Sequence, residues 1–599
     1  MNYFVSKQRE IDKGIAKEIS RRFNIDYILA QILVSRGIDT VEKAESYLCK
    51  DINNLHDPFL LSGMKEACDM INDAVSSNKS IVIYGDYDAD GICSVAALYL
   101  YFKSLSARVN WYIPEREEGY GINADSIDYI ISSYAPDLFI SADCGITAIS
   151  EVEILKSKGV SVIITDHHNS NGTVPDCVVI NPKVSADYPF KDLCGCGVVL
   201  KLIQALGGIG EAKKYIDIAA IATIGDSVEL CGENRNIVHY GLKKLNESPR
   251  KGLKILFEAA GLKENINAYC VAFAVVPRIN AAGRIGEAKR ALALFYEEDE
   301  DFLLRLAEEL NGENSKRQIL CQQLFEKLAE ETDSSGIGNN RCIAVIDQSS
   351  NDGVSGILAS KLCEKYYRPA FVFCRSGEFL KGSGRSIEGI NIFNMLSSMK
   401  DILERFGGHK YAAGVTIKEE NLSAFREKAE KYLAGFGADV FIRRKYYDYD
   451  LTGQDINEDF ARQLNIFEPC GIGNYRPQFL YKCSGINADL LKNYPSHLTF
   501  KLLNTNFIGF NFGDNTDILN SAENELLIEF QQSMFKGRLY DKGYLKDFNI
   551  NINSAAAKNK IISNYLLQAE QELCGGQFCD FKQYDDNQEG ILFDSLKQF

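Results

Sequence analysis

Between residues 65 and 230, five apolar runs of strand length are separated by stretches with helical spacing: Ser80 to Tyr84, Ala107 to Ile113, Leu138 to Ala142, Ser161 to Thr165 and Cys177 to Ile180. Strands that are apolar at nearly every position are buried on both faces, and the intervening helices supply the covering layers. The pattern predicts βα units and a mostly parallel sheet. Ligands of such sheets sit beyond the carboxyl ends of the strands, so the residues that follow each run are the candidates for chemistry.

After the first run comes Gly85-Asp86-Tyr87-Asp88-Ala89-Asp90-Gly91, with three aspartates at alternate positions. Asp143 follows the third run, Asp166-His167-His168 the fourth, and Asp226 ends a helical stretch farther on. Carboxylates gathered at one sheet edge repel one another unless a cation sits among them. A solvated Asp/Gly turn accounts for the first cluster alone, but not for acid at three strand ends. Imidazole beside carboxylates suits Mn2+, Zn2+ or Fe2+, whereas an all-oxygen set favours Mg2+ or Ca2+. Mn2+ is the ion expected, with Mg2+ as a workable substitute. Cys194-Gly195-Cys196 is the closest cysteine pair, and with no second pair at ligand spacing it is not read as a zinc site.

A chain of 599 residues exceeds one hydrophobic core and implies about three or four domains. The formal charge of -16 argues against indiscriminate coating of nucleic acid but permits a local basic groove. Seventeen scattered cysteines, with no apolar signal segment before them, point to reduced thiols in a cytoplasm. No apolar run approaches the ~18 residues of a membrane span, and no membrane association is expected.

The chain divides into a helical cap over 1–50, an α/β lobe over 51–285, a connecting helix over 286–335 and a second α/β lobe over 336–440. Leu303, Leu306, Ala307 and Leu310 give the connecting helix one apolar face. The second lobe has strands at Cys342 to Ile346, Ala370 to Cys374 and Gly414 to Ile417, and its string Lys381-Gly382-Ser383-Gly384-Arg385-Ser386 reads as a glycine-rich turn able to cradle an anion. Residues 441–560 hold short β segments, Gly485 to Leu491, Leu498 to Leu503, Phe507 to Phe512, Glu525 to Gln531 and Phe548 to Ile552, which fit a small closed barrel such as an OB-fold. Tyr475, Phe479, Tyr481, Phe507 and Phe510 are candidates for base stacking or for its core, and Arg443, Arg444 and Lys445 for a basic approach or a solvated cluster. Residues 561–599 form a polar, acidic tail.

Asp86-Tyr87-Asp88-Ala89-Asp90-Gly91, Ala142-Asp143-Cys144-Gly145 and Asp166-His167-His168, in this order, resemble the first three motifs of the DHH phosphoesterase superfamily. Pro277-Arg278-Ile279-Asn280-Ala281-Ala282-Gly283-Arg284 narrows the resemblance to the RecJ family of single-strand-specific exonucleases. The resemblance covers about residues 50 to 555 and implies a DHH catalytic domain, a DHH-associated domain and an OB-fold nucleic-acid-binding domain. It further implies two divalent cations held by Asp88, Asp90, Asp143, His167 and Asp226, with Asp86 ligating or positioning the first and Asp143 bridging. Asp143, His168 and Asp226 are the implied catalytic residues, with His168 touching phosphate. Arg116, Arg278, Asn280, Arg284, Ser383, Arg385 and His409 are the implied substrate contacts, those of the second lobe holding a 5′-terminal phosphate.

The implied activity is 5′-to-3′ hydrolysis of single-stranded DNA to nucleoside 5′-monophosphates in DNA repair and recombination, by a monomer working with a helicase and a single-strand binding protein. The alternatives are a DHH phosphodiesterase on cyclic dinucleotides or very short oligonucleotides, and a non-catalytic single-strand-binding scaffold. Four departures from the family pattern stand out: Tyr84 in place of a frequent histidine, Gly225 in place of the alanine before Asp226, Ser350-Asn351-Asp352-Gly353-Val354 in place of Trp-His-x-Gly-Val, and Cys470 in place of phenylalanine.

Overall fold

Ile81–Gly85 is buried at every position, and in this computed structural model it lies inside a five-stranded sheet with the order Val109–Tyr112, Ile81–Gly85, Leu138–Ala142, Ser161–Thr165, Val178–Ile180. Every pairing in this sheet is parallel. The structure describes residues 3–7, 11–119, 121–170, 172–262, 265–285, 287–349, 352–452, 458–502, 505–535 and 538–550. Ser350, Asn351 and the tail 561–599 lie outside them.

The first strand has the second on one side and the third on the other, so the crossovers diverge at its carboxyl end. Doubly wound sheets open their ligand crevice at such a switch point. Here that point carries Asp86 to Asp90 on one strand and Asp143 on its neighbour. One face of the sheet packs Ile81 and Ile83 on the buried helix Ala89–Ser104 and on Gly195–Ala212 and Ile216–Gly225. The other face packs Val82, Tyr84 and Phe139 beneath Ala124–Tyr134 and Ile149–Ser157. By length and composition alone, Gly195–Gly225 is apolar enough to cross a membrane. It is broken at Gly208, with φ 78°, and its first half is packed in the lobe's core.

The helix Glu300–Ser334 joins the two lobes and enters both cores, with Leu303, Leu306, Ala307 and Leu310 in the first and Cys321 and Leu328 in the second. The second lobe is a sheet of order Arg405–Gly408, Ala412–Lys418, Phe379–Arg385, Ala370–Ser376, Ile343–Asp347. The glycine-rich string expected as a turn is instead the strand Phe379–Arg385. A Cβ on Gly382 or Gly384 would sit 2.5 Å from the ring of Phe373 or Phe371, so these glycines let aromatic rings lie flat on the strand. Ser383 and Arg385 alternate with them and face the other way.

The C-terminal region is a seven-stranded sheet: Tyr449–Leu451, Phe479–Ser484, Glu523–Phe535, Arg538–Ile550, Thr505–Gly509, Tyr494–Leu502, Asp489–Leu491. The segment expected as one strand from Gly485 to Leu491 does not form as such, because Gly485 turns the chain at φ 64°. Phe479 and Phe507 are 0% exposed and belong to the core, so they are not available for stacking. The basic triplet is engaged as well: Arg444 pairs with Asp439, Lys445 with Asp547, and Arg443 lies over the Tyr367 ring.

The N-terminal helices Lys13–Phe23, Tyr27–Ser35 and Val41–Leu48 share one core with this sheet, and Tyr3–Ser6 pairs in parallel with Arg444–Tyr447. Arg235 of the first α/β lobe fastens the assembly. Its guanidinium stacks 3.9 Å from the Tyr47 ring centroid and donates to the carbonyls of Ile466, Phe467 and Pro469. Arg235→Ala leaves those buried acceptors without their charged donor and is expected to lower stability by about 3 kcal/mol, read as a drop in urea midpoint.

Candidate metal centre

The turn after Ile81–Gly85 is tight because Gly91 lies against the backbone of Asp86, where a Cβ would come within 2.4 Å of the Asp86 carbonyl oxygen. Asp88 caps the helix Ala89–Ser104, its Oδ1 accepting from the N–H groups of Asp90 (2.9 Å) and Gly91 (3.0 Å). Asp90 is buried and accepts from Gly195 N–H (2.7 Å) and Cys196 N–H (2.8 Å) at the start of the helix Gly195–Ala212. Asp143 stands in the left-handed region at φ 67°, and its carboxylate lies so close to Gly195 that a Cβ there would be 2.4 Å away. Asp226 caps the C-terminus of Ile216–Gly225.

These elements converge on one imidazole. His167 Nε2 lies 3.3 Å from Asp143 Oδ1, 3.6 Å from Asp226 Oδ2 and 3.9 Å from Asp90 Oδ2. His167 Nε2, Asp143 Oδ1 and Asp86 Oδ1 are all buried, with no hydrogen-bond partner among the described residues. Buried polar atoms left unpaired in this way are costly unless a ligand completes them. The donor atoms of Asp90, His167 and Asp226 lie within 4.8 Å of one another, as do those of Asp143, His167 and His168.

The electrostatics fit the same interpretation. Burial, and then the neighbouring Asp88, push the Asp86 carboxyl well up. Burial followed by Asp90 does the same to Asp143. Asp90 rises to about 6 and Asp226 to about 8, burial being the larger cause in each. His167 falls to about 3 through burial and the adjacent His168, so it is neutral at physiological pH, as a metal ligand has to be. A crowded set of carboxylates around a neutral imidazole fits a divalent cation taking mixed O/N donors.

Asp166 is the contributor that sequence reading left without a role. It accepts backbone N–H bonds from Ile146, His167 and His168, and it holds His168 Nδ1 at 2.7 Å. Burial is the largest single influence on each partner and opposes its ionisation, but their mutual hydrogen bond and charge, joined by the backbone donors on Asp166 and by Asp226 and Asp90 near His168, together outweigh it, lowering Asp166 and raising His168. Its position directly before two histidines was the available signal. Tyr84 is fully buried, donates to the Gly121 carbonyl and stacks on Tyr112, so it packs beneath the sheet.

The motif over 277–284 braces the acidic turn. Asn280 Oδ1 accepts the Ala89 N–H at 2.8 Å, and Gly283 lies where a Cβ would be 2.6 Å from the Tyr87 carbonyl oxygen. Asn280 is therefore placed as a positioning residue. Asn280→Ala is expected to lower the melting temperature slightly, by about 1 kcal/mol of stability, and to reduce turnover roughly tenfold through a displaced turn, as steady-state rates would show. Arg278 is turned away onto Asn311 Oδ1 and the Ala274 carbonyl. Arg284 reaches across to the Gly353 carbonyl at 2.6 Å, and burial lowers its guanidinium to about 10. Arg116 lies over the Tyr87 ring at 5.4 Å, while Glu115 and Glu118 are engaged with Lys289 and Ser126.

Between the lobes opens a cavity of about 840 Å³, lined on one side by Asp166, His168 and Asn169 and on the other by Asn391, Phe406, Gly408 and His409. His409 Nδ1 lies 3.4 Å from Asn169 Nδ2 across it. Ser383 pairs with Ser355 at 2.9 Å, and Arg385 donates to the Gly384 carbonyl beneath the helix Asp352–Tyr366.

The model of the DHH family N-terminal domain matches residues 80–225, that of the DHHA1 domain 338–435, and that of the RecJ OB domain 447–543. The single-stranded-DNA-specific exonuclease RecJ of Dickeya dadantii is 30% identical over 485 residues, an alignment covering 76% of this chain and 83% of the relative. The chain belongs to the RecJ family. RecJ of Bacillus subtilis is 37% identical over 517 residues, covering 84% of this chain, and the chain spans 65% of that relative's length. The crystal structure of Thermus thermophilus RecJ in complex with Mn2+ superposes with a TM-score of 0.79 at 31% identity, covering 91% of this chain and 79% of the RecJ chain.

Proposed function

We propose that the chain is a 5′-to-3′ exonuclease that hydrolyses single-stranded DNA to nucleoside 5′-monophosphates with two divalent cations, Mn2+ or Mg2+. The observation that carries this proposal is the convergence of the Asp90, Asp143 and Asp226 carboxylates on His167 Nε2, with Nε2 and Asp143 Oδ1 buried and unpaired, beside the interlobe cavity that Asp166 and His168 line. The RecJ names of the relatives and the Mn2+ of the Thermus crystal support the choice of substrate and ion. Asp88, Asp90, Asp143, His167 and Asp226 would hold the cations, with Asp86 ligating or positioning the first. The cations, when bound, supply Lewis-acid activation of the phosphodiester and of water.

The chain's own residues then orient the strand. His168, fixed at Nδ1 by Asp166 in a contact that favours its protonated form, presents its ring to the scissile phosphate. Arg116 and Arg284 offer planar forks to backbone phosphates. From the second lobe Ser383, Arg385 and His409 hold the 5′-terminal phosphate, so that one lobe cuts while the other fixes the end from which cutting is counted. On this reading the protein acts as a cytoplasmic monomer, fed by a helicase and a single-strand binding protein.

The test uses a 5′-phosphorylated strand carrying a 3′ fluorophore, alone or annealed, in Mn2+. Stepwise shortening from the 5′ end of the single strand, with the duplex resistant, is the expected result. Equal rates on both substrates, or loss of the fluorophore first, would sink the proposal.

A further inference from the structure

Asn169 and His409 meet across the interlobe cavity, and each stands on a loop whose backbone is pinned. On the first lobe, Asp166 accepts the N–H groups of His167 and His168, while the His168 carbonyl accepts from Asn181 Nδ2 at 2.9 Å. Asn181 is 0% exposed and directly follows the strand Val178–Ile180, so the loop that leads into Asn169 is tied from two strand ends. On the second lobe, His409 opens the short loop between the paired strands Arg405–Gly408 and Ala412–Lys418. Its N–H donates to the Ala412 carbonyl at 2.8 Å, and the Lys410 and Tyr411 carbonyls accept from the N–H groups of Ile392 and Ser386 at 3.0 Å. Gly408 permits the turn: it stands at φ 136°, and a Cβ there would lie 2.4 Å from the Ala412 carbonyl oxygen.

Asn169 Nδ2 lies 3.4 Å from His409 Nδ1. The separation is long, as hydrogen bonds of a site without its substrate often are. An amide nitrogen only donates, so the ring nitrogen that faces it has to accept. A neutral imidazole carries one proton, and with Nδ1 accepting, that proton sits on Nε2. Partial burial, followed by the charges of Lys183 and His168, holds His409 below its ordinary pKa and keeps the ring neutral. Among the described residues Nε2 has no hydrogen-bond partner. Its N–H is therefore available to an anion in the cavity. The histidine on the opposite wall is held differently, since the Nδ1 of His168 meets the carboxylate of Asp166. A carboxylate stabilises a second proton on the ring, whereas an amide donor excludes one from the nitrogen it faces.

We propose that Asn169 is a positioning residue: it holds His409 in the tautomer that carries its proton on Nε2, and so makes the second lobe's histidine a hydrogen-bond donor to a phosphate of the strand. The inference rests on the exonuclease reading above.

The chain has six histidines, so nitrogen-15 spectra of the histidine-labelled, full-length protein can be assigned by substitution. Without metal, His409 is expected to show Nε2 protonated and Nδ1 bare, a signal identified by its loss in His409→Ala. Asn169→Ala is expected to turn it into a mixture of tautomers. Steady-state rates on a 5′-phosphorylated oligothymidylate in Mn2+ supply the second readout. Asn169→Ala is expected to lower kcat/KM roughly fivefold, and Asn169→Gln, which keeps the amide donor on a longer arm, to recover part of the loss. Because Asn169 acts through His409, adding Asn169→Ala to His409→Ala should lower the rate no further. A proton on Nδ1 in the wild type, an unchanged rate in Asn169→Ala, or two losses that multiply in the double variant would overturn the inference. A wild type that shows the expected spectrum but leaves single strands uncut would overturn the exonuclease reading instead.

Discussion

Asp143→Asn is expected to lower nucleotide release from single strands in Mn2+ by about a thousandfold or more, as for loss of a group that holds catalytic metal. The substitution keeps the volume of the side chain, and asparagine tolerates the left-handed backbone that Asp143 adopts at φ 67°. What it removes is an ionisable carboxyl, with Oδ1 3.3 Å from His167 Nε2 and pressed against the start of the helix Gly195–Ala212. The melting temperature measured in EDTA should stay level or rise, because a carboxylate that burial and Asp90 hold out of its ordinary range is gone. Loss of activity together with a collapse of the fold would point to a structural role instead.

The second large effect is a pH-dependent requirement for metal. Burial, with the neighbouring aspartates, raises Asp90 to about 6 and Asp226 to about 8. A carboxyl whose folded pKa lies above its unfolded value near ~4 is neutral in both states at low pH and carries no penalty there. As pH climbs past the unfolded value, ionisation favours the unfolded chain, and the penalty is complete only beyond the folded value. Metal-free protein is therefore expected to melt progressively lower between pH 4.5 and 8.5. Mn2+ at about a thousand times its Kd contributes roughly 4 kcal/mol, or a rise of about 10 °C for a lobe of this size. Thermal melts with EDTA or Mn2+ should show a larger Mn2+-induced rise at pH 8 than at pH 5.5. An equal or smaller rise at pH 8 would contradict this account of the acidic cluster.

The acidic residues could be located from sequence because both-face-buried strands read as unbroken apolar runs, and whatever follows them lies at the sheet's open edge. Leu138–Ala142 and Ser161–Thr165 carry the expected boundaries, and Asp143 and His167 follow from them. The alternation of Gly382 and Gly384 looked like a turn because glycine is ambiguous without its neighbours, and only the rings of Phe373 and Phe371 explain it. The bond from Asn280 to the Ala89 amide spans 191 residues and leaves no local trace. Phe479 and Phe507 look like Phe510 in sequence, yet the first two fill the core and only Phe510 is exposed. Likewise, nothing in the string around Arg278 announces that Asn311 claims its guanidinium, and the clasp of Arg235 on three distant carbonyls is equally silent.

The most direct measurement of the central claim is anomalous diffraction at the manganese edge from crystals of the Asp143→Asn protein and the wild type, each grown with Mn2+ and a short 5′-phosphorylated strand. The account predicts two manganese peaks in the wild type, ringed by Asp88, Asp90, Asp143, His167 and Asp226, with the strand's 5′ end towards Ser383 and Arg385. It predicts the loss of at least one peak in the variant. Manganese elsewhere, or a wild-type cluster that stays free of it while the strand is bound and cut, would contradict the account.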